Sequence, residues 1–242
     1  MIQARLNDAA IKLHQLFNEV NVKHGIFGGY AIGVLGGPRE SKDIDCIASV
    51  SKESLISLVD GKAGFQYISQ TRPDYVAFFW SDKPDRRNPV LVEVFVEQFE
   101  GMLHSSLEPW LLIQAGASHA MKNVVMHKLN VSGQLNASGS ISLLDPVYIF
   151  KGKLRAAATR GKFHDSADIR WLASRSKDHL KSKGKEFDLG LVGLAIKRYP
   201  ELEATFLQLG LDVTKAKDRV AGVELSQLPP PKIGDVQSGI LG

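Results

Sequence analysis

The sequence predicts an α+β fold: a mixed sheet with flanking helices, followed by a helical C-terminal region. Three observations predict it. The first hundred residues hold several short runs rich in β-branched and aromatic residues, separated by polar turns. Stretches with apolar residues at helical spacing lie before and between those runs. Beyond Asp145-Pro146 only the helical period remains. The expected layout is an α+β domain over 1–144, a helical domain over 145–224 and a flexible tail over 225–242.

Taken in order, Leu6, Ala10, Leu13, Phe17 and Val20 fall at helical spacing and predict a first amphipathic helix. Ile26-Phe27 leads into Gly28-Gly29 as a strand leads into a turn, and Tyr30 to Leu35 reads as a short helix. Gly36-Gly37-Pro38 stops it, because glycine accepts a left-handed cap and proline cannot continue. Asp43 to Ser49 is a strand. Ser51 caps a helix that runs to about Asp60, where Gly61 ends it. Phe65 to Ser69, Tyr75 to Trp80 and Val90 to Val96 are three further strands, the last two suited to an antiparallel pair. Residues 107–145 are poor in pattern: a strand is expected over Val124 to Val131 and a loop over Gln134 to Ser140. Pro146 then opens a helix over Val147 to Thr159. Helices over Ser166 to Ser174, Leu189 to Tyr199 and Glu201 to Leu209 follow, with Pro200 separating the last two. Three consecutive prolines and few large apolar residues predict the loose tail.

Composition narrows the class. A hydrophobic content of 44% with 23% charged residues is that of a folded globular chain rather than a disordered one. No run of eighteen apolar residues is present, so no membrane partner is expected. The first residues lack the apolar core of a signal peptide, and Cys46 is the only cysteine, so no internal disulfide forms; a cytoplasmic setting is expected. Cys46 itself reads as a small buried strand residue. The net charge of +4 is unevenly distributed: Lys151 to Lys185 hold eleven Lys/Arg against three Asp, leaving the rest net acidic. Such a run suits a surface that faces phosphate, or simply a solvated helix face.

The chemistry is carried by Asp43-Ile44-Asp45. Side chains alternate across a strand, so both carboxylates share one face. Two adjacent acids repel and are costly to desolvate without a cation between them. The simplest such cation is Mg²⁺ or Mn²⁺, and Mg²⁺ normally arrives with phosphates. Gly28-Gly29 at a helix start would let a phosphate reach backbone N–H groups. A later apolar strand places Glu93 between Val92 and Val94, an acid in need of a partner; Glu97 has the same parity but sits at the strand end and reads as solvated. Either is open as the third acid. Around these, Arg39 and Lys42 flank the acids. Lys153 and Arg160, seven apart on one helix face, suit a phosphate clamp or a solvated basic face. Asp165 and Asp168 are expected to brace the helical half through Arg160 or Arg155. His119, His127 and His164 lack ligand spacing, and Tyr148 and Trp171 read as core.

Together these residues resemble the polymerase-beta-like nucleotidyltransferase superfamily. Its signature is an apolar residue and a glycine pair, a spacer, acid-apolar-acid, and a third acid on a later strand. Here that is Phe27-Gly28-Gly29, thirteen residues, Asp43-Ile44-Asp45 and Val92-Glu93-Val94. The stretch from Gly28 through Arg39-Glu40-Ser41-Lys42-Asp43 looks like the small stand-alone members, the abortive-infection toxin and antibiotic-modifying types, as do Lys153-Leu154, Ala156, Arg160, Asp165, Asp168-Ile169 and Leu172. Two departures stand out: Glu93 where Asp is usual, and Ser41 where Thr is frequent. The resemblance implies a metal-dependent nucleotidyltransferase that moves a nucleoside monophosphate, AMP from ATP, to an acceptor hydroxyl. It implies Asp43, Asp45 and Glu93 as catalytic and metal-holding residues. It implies Gly28, Gly29, Arg39, Ser41, Lys42, Lys153 and Arg160 as nucleotide contacts. The acceptor, whether small molecule, protein or RNA end, stays open; residues 107–145 are where its pocket would be built. Competing readings are a catalytically inactive nucleotide- or partner-binding module of the same fold and an Asp-X-Asp glycosyltransferase.

Overall fold

The computed structural model describes residues 2–98, 121–135 and 138–242. The chain divides into one unit of Met1–Asp145 with Ile233–Gly242 and a second of Pro146–Lys232. The first is α+β with a mixed sheet and flanking helices, the second is helical. His119 and, of the stretch assigned to an acceptor pocket, residues 107–120 and 136–137 lie outside the described residues.

In the first unit, helix α1 (Ile2–Glu19) precedes strand β1 (His24–Phe27) and helix α2 (Gly28–Val34). Strand β2 (Asp43–Ser51) leads directly into helix α3 (Lys52–Val59), whose N-cap Ser51 side chain accepts from the Ser54 backbone N–H. Strands β3 (Phe65–Ile68), β4 (Tyr75–Trp80), β5 (Val90–Gln98), β6 (Met126–Val131) and β7 (Gly139–Leu144) complete it. The sheet order is β3-β4-β5-β2-β1-β7-β6. β2 runs parallel to β5, and β1 parallel to β7; the other neighbours are antiparallel.

Alternation sorts the central strands into two faces. Ile44, Cys46 and Ala48 on β2, with Val92, Val94 and Val96 on β5, are all fully buried, and α1 and α3 pack on these strands. Of their alternates, Asp43, Asp45, Leu91, Glu93 and Phe95 are half-buried, while Ile47 is fully buried. One face is thus the core, and the other has access to solvent at the end that bears the acids. Burial also pushes the Cys46 thiol far above its ordinary pKa, which keeps it a neutral packing residue.

Polar side chains of α1 tie that helix to the sheet. The buried Asp8 carboxylate accepts from the backbone N–H groups of Gln134 and Leu135, in the β6–β7 connection. Asn7 accepts from the Tyr30 hydroxyl at 2.9 Å and donates to the Ser132 carbonyl at 2.7 Å. Beside them a buried pair of imidazoles links α1 to β1. His24 Nδ1 lies 2.8 Å from the Val22 carbonyl, so it carries the proton; His24 Nε2 then accepts from His14 Nδ1 at 2.8 Å, and His14 Nε2 accepts from Asn18. The ladder closes only with both rings neutral. Burial lowers the pKa of His24 to about 4, with the neighbouring His14 ring adding to that effect. It also lowers the pKa of His14, assisted by the positive charge of Lys128.

An unfolded histidine protonates near 6.5, so between that pH and about 4 the unfolded chain binds the extra proton and the folded chain does not. Stability contributed by His24 is therefore complete above pH 6.5 and declines as pH falls. Urea unfolding is expected to show roughly 2 kcal/mol less stability at pH 5 than at pH 7.5. His24→Gln should flatten that slope; an unchanged slope would show that the ring titrates freely in the folded chain.

The second unit comprises α4 (Pro146–Thr159), α5 (Phe163–Arg175), α6 (Lys177–Ser182), α7 (Leu189–Arg198), α8 (Leu202–Gln208) and α9 (Val213–Arg219). Asp188 caps α7 and Asp212 caps α9 through backbone N–H groups. Its core is built around Phe150, whose ring meets Phe187 at 4.9 Å and Phe206 edge-on at 6.5 Å. Tyr148 and Trp171, read as core, are only half-buried, and Lys151 lies over the Tyr148 ring.

The loose tail expected over 225–242 is not what the structure holds. Residues Asp235–Leu241 form helix α10, which follows Gly234 in a left-handed conformation (φ 80°). Gln237 is fully buried, and its amide donates to the carbonyls of Asp74 at 2.6 Å and Val96 at 2.9 Å. The Gly234 N–H is bound by Asp74 Oδ2. The three prolines end one segment, but two inward residues, Gln237 and Ile240, suffice to dock the next. Such a small anchor has no signature in composition.

Candidate functional site

β2 and β5 set the acids. In their parallel register Asp45 lies opposite Glu93 and Asp43 opposite Leu91, so Asp43, Asp45 and Glu93 share the open face. Ser41, buried just before β2, donates to Asp43 Oδ1 at 2.9 Å and fixes that carboxylate. On the other side of β2, β1 places Phe27 opposite Asp45, and the chain then turns at Gly28 with φ 70° into α2. That turn brings backbone and acid into close contact: a β-carbon at Gly28 would lie 2.0 Å from Asp45 Oδ2. At Gly29 a β-carbon would meet Arg39 Nη2 at 2.4 Å and Ser41 Oγ at 2.9 Å. The two glycines thus admit three side chains of the acid-bearing segment, a role distinct from the expected approach of phosphate. α2 has only seven residues, so its dipole adds little to this corner.

Among the expected site residues, Gly28, Gly29, Arg39, Ser41, Asp43, Asp45 and Glu93 gather on or beside one end of β2. Lys42, in the segment just before β2, is exposed. Lys153 and Arg160 belong to the helical unit, where their neighbours are acids. Lys153 is buried, with Nζ 2.7 Å from Asp168 Oδ2 and 3.8 Å from Asp165 Oδ1. Arg160 makes two hydrogen bonds to Asp165, at 2.9 and 3.1 Å. The acids brace the helical unit as expected, and they also engage Lys153, which corrects its reading as a solvated basic face. Glu97 is corrected too: it is buried, not solvated, and Oε1 accepts from the Met121 backbone N–H at 2.8 Å. The β2–β5 register shifts between Ala48 and Ser51, so parity near Glu97 no longer reports direction. Of the histidines read as unremarkable, His127 pairs with Asp145 at 2.8 Å.

The donor set decides which metal arrangement fits. Among the described residues no group of three or more His, Cys, Asp or Glu side chains stands ready to hold a metal ion. A preformed three-acid cage is therefore not what these residues make. Asp43 and Asp45, two oxygen donors on an open face, fit a different arrangement. Magnesium is commonly held by one or two carboxylates, with phosphate oxygens and water completing its shell.

The open face also bears a band of rings missed by the sequence reading. Phe95 follows Glu93 by two residues and lies opposite Tyr75 of β4. Its ring stacks on Tyr75 with centroids 5.6 Å apart and meets Phe27 at 5.7 Å. The available signal was an aromatic residue at the parity of Glu93, on the side of the strand that a solvated sheet face would fill with polar groups.

No family model matches the chain, and no curated protein does. Solved structures do. An antigenic nucleotidyltransferase-like protein from Paracoccidioides brasiliensis is similar with a TM-score of 0.50 and 17% identity, over 84% of this chain and 93% of that one. The nucleotidyltransferase toxin MenT4 from Mycobacterium tuberculosis is similar at 16% identity over 99% and 88% of the two chains, with a TM-score of 0.42. A tRNA nucleotidyltransferase complexed with a primer tRNA and an incoming ATP analog is similar at 15% identity over 88% and 62%, with a TM-score of 0.30. The first of these shows a shared nucleotidyltransferase-like fold. At such identities the likeness concerns the fold alone. Among the described residues no helix is long and apolar enough to cross a membrane.

Proposed function

We propose that this protein is a metal-dependent nucleotidyltransferase that moves a nucleoside monophosphate, AMP from ATP, to a hydroxyl of an acceptor. The observation that carries the reading is the corner where Asp45 lies against Gly28 while Ser41 orients Asp43, with Glu93 opposite Asp45 on the next strand. Asp43 and Asp45 would hold Mg²⁺ or Mn²⁺ that arrives with the triphosphate, and the ion would supply charge neutralisation at the phosphates. The protein's own part is positioning. Ser41 fixes the rotamer of Asp43, and the Gly28 turn fixes that of Asp45. Arg39, held against Gly29, places a guanidinium beside the site, where phosphate charge would be met.

In the reaction proposed, the acceptor oxygen bonds to the α-phosphorus as the bond from that phosphorus to the β-bridging oxygen breaks. Pyrophosphate leaves, and the hydroxyl proton passes to the Glu93 carboxylate. Catalysis of this type rests on alignment and on charge stabilisation. Lys42 is exposed and suits a contact to the outer phosphates.

The test is incubation of the full chain with α-labelled ATP, Mg²⁺ and a cell lysate later separated into protein, RNA and small-molecule pools. Label is expected in one pool, which names the acceptor class. Asp45→Asn is expected to reduce that label by at least about 10²–10³-fold. Label retained by the variant would remove the acids from the reaction, and label in no pool would favour a binding module of the same fold.

A further inference from the structure

Helix α5 separates its charges. Its acids, Asp165 and Asp168, are buried and are matched by Lys153 and Arg160. Its outward side carries Arg170 and Arg175, both exposed, and two more exposed cations flank it, Lys162 just before the helix and Lys177 just after. Among the described residues none of these four cations has an acidic partner. Their charge faces water and is free to meet an anion. Rings stand among them. Phe163 is 82% exposed, although the turn that presents it is held firmly. Arg160 is fixed by its two hydrogen bonds to Asp165, and the Lys162 carbonyl accepts from the Tyr199 hydroxyl at 3.0 Å and from the Asp165 N–H at 2.9 Å. A ring covered on one face would lose far more of its surface, so both faces of Phe163 are open. Ala167, Arg170, Trp171 and Ser174 follow at four, seven, eight and eleven residues, which sets them along one side of the helix. Trp171 is half-buried, and the small Ala167 leaves the strip between the two rings clear over about 12 Å of the axis.

We propose that the outward side of α5 is a docking surface for single-stranded RNA, with bases stacked on Phe163 and Trp171 and phosphates met by Arg170 and its neighbouring cations. This goes beyond the transfer reaction and gives the helical unit a partner of its own. Exposed rings set among unpaired cations match a chain that alternates planar groups with negative charge. A duplex hides its bases from such rings, whereas RNA loops and ends leave them unpaired. A lipid surface would need a broad apolar face, and here two rings are parted by Ala167 and bordered by arginines. Stacking of this kind accepts any base, because every base presents a π-face, so sequence preference is expected to be slight.

The experiment follows the fluorescence anisotropy of a labelled oligouridine of about twelve nucleotides with the full chain. ATP and Mg²⁺ are absent, so the result is separate from that of label transfer. Phe163→Ala removes a ring that little in the fold touches, and its thermal unfolding, matched to wild type, serves as the folding control. The variant is expected to bind oligouridine about tenfold more weakly, in the range for loss of one stacking partner, and to bind inorganic polyphosphate as wild type does. Arg170→Ala is expected to reduce the slope of log K against log salt concentration by about 0.7, the value for one phosphate contact on a single strand. An RNA duplex of equal length should bind more weakly than the single strand. Wild-type protein without affinity for oligouridine, or Phe163→Ala that binds it as tightly as wild type, overturns the proposal. Equal weakening toward oligouridine and polyphosphate, or an unchanged slope in Arg170→Ala, overturns it as well. So does partition onto phosphatidylglycerol vesicles without binding to oligouridine, the result for a helix that faces lipid.

Discussion

Substitution of Lys153 by methionine is expected to destabilise the protein by roughly 3–5 kcal/mol, the usual cost of removing one partner from a buried ion pair. Lys153 is 5% exposed, and its ammonium lies between Asp165 and Asp168, which are 0% and 2% exposed. Without it, two carboxylates one helical turn apart stay in the interior with one fewer cation. Arg160, whose side chain is nearly half exposed, is engaged with Asp165 through two hydrogen bonds. Methionine fills the volume of the lysine stem, so the loss reports charge and not a cavity. Thermal unfolding should register a fall of about 10 °C or more for a chain of this size. The double variant Lys153→Met with Asp168→Leu should recover much of that fall, since paired removal of buried charges is often neutral. A single variant within 1 kcal/mol of wild type would refute the idea that Lys153 is a structural cation.

The second large effect concerns Gly28. Gly28→Ala places a β-carbon 2.0 Å from Asp45 Oδ2 at a backbone φ of 70°, so the carboxylate must leave its position. Displacing a catalytic group by about 1 Å costs on the order of 10²-fold in rate, and loss of at least that size is expected in label transfer from α-labelled ATP. Gly61 supplies the control. It has nearly the same φ, 72°, and a β-carbon there meets nothing within 4 Å. Gly61→Ala should therefore carry the same backbone strain, on the order of 1–2 kcal/mol, without loss of transfer. Equal activity in the two variants would show that the contact between Gly28 and Asp45 is irrelevant to the reaction.

How far the sequence foretold this molecule differs between elements for physical reasons. Asp43-Ile44-Asp45 was legible because a strand places alternate residues on one face, and no tertiary contact was needed to see it. Ser51 and Pro146 were legible because caps are local. β7 was not: Gly139-Ser140-Ile141-Ser142-Leu143-Leu144 has no strand pattern of its own, and its antiparallel pairing with β6 along its whole length, with β1 parallel on the other side, makes it one. Lys153 lies within α4, whereas Arg160 follows the last residue of that helix, Thr159. That Lys153 is buried depends on acids of the following helix, which spacing within one helix does not reveal. Glu97 misled because alternation ends where the register shifts. The aromatic band needed the pairing of β1, β2, β4 and β5 before three rings far apart in sequence became neighbours.

The docking of α10 sets an order of events at the ribosome. Gln237 satisfies carbonyls in β5 and just ahead of β4, segments made some 140 to 160 residues earlier. A nascent chain can pair its strands while translation continues, but it cannot close this end of the sheet until Gln237 has been made and has cleared the exit tunnel. Chains that stop before Gln237 would leave the Asp74 and Val96 carbonyls without that amide.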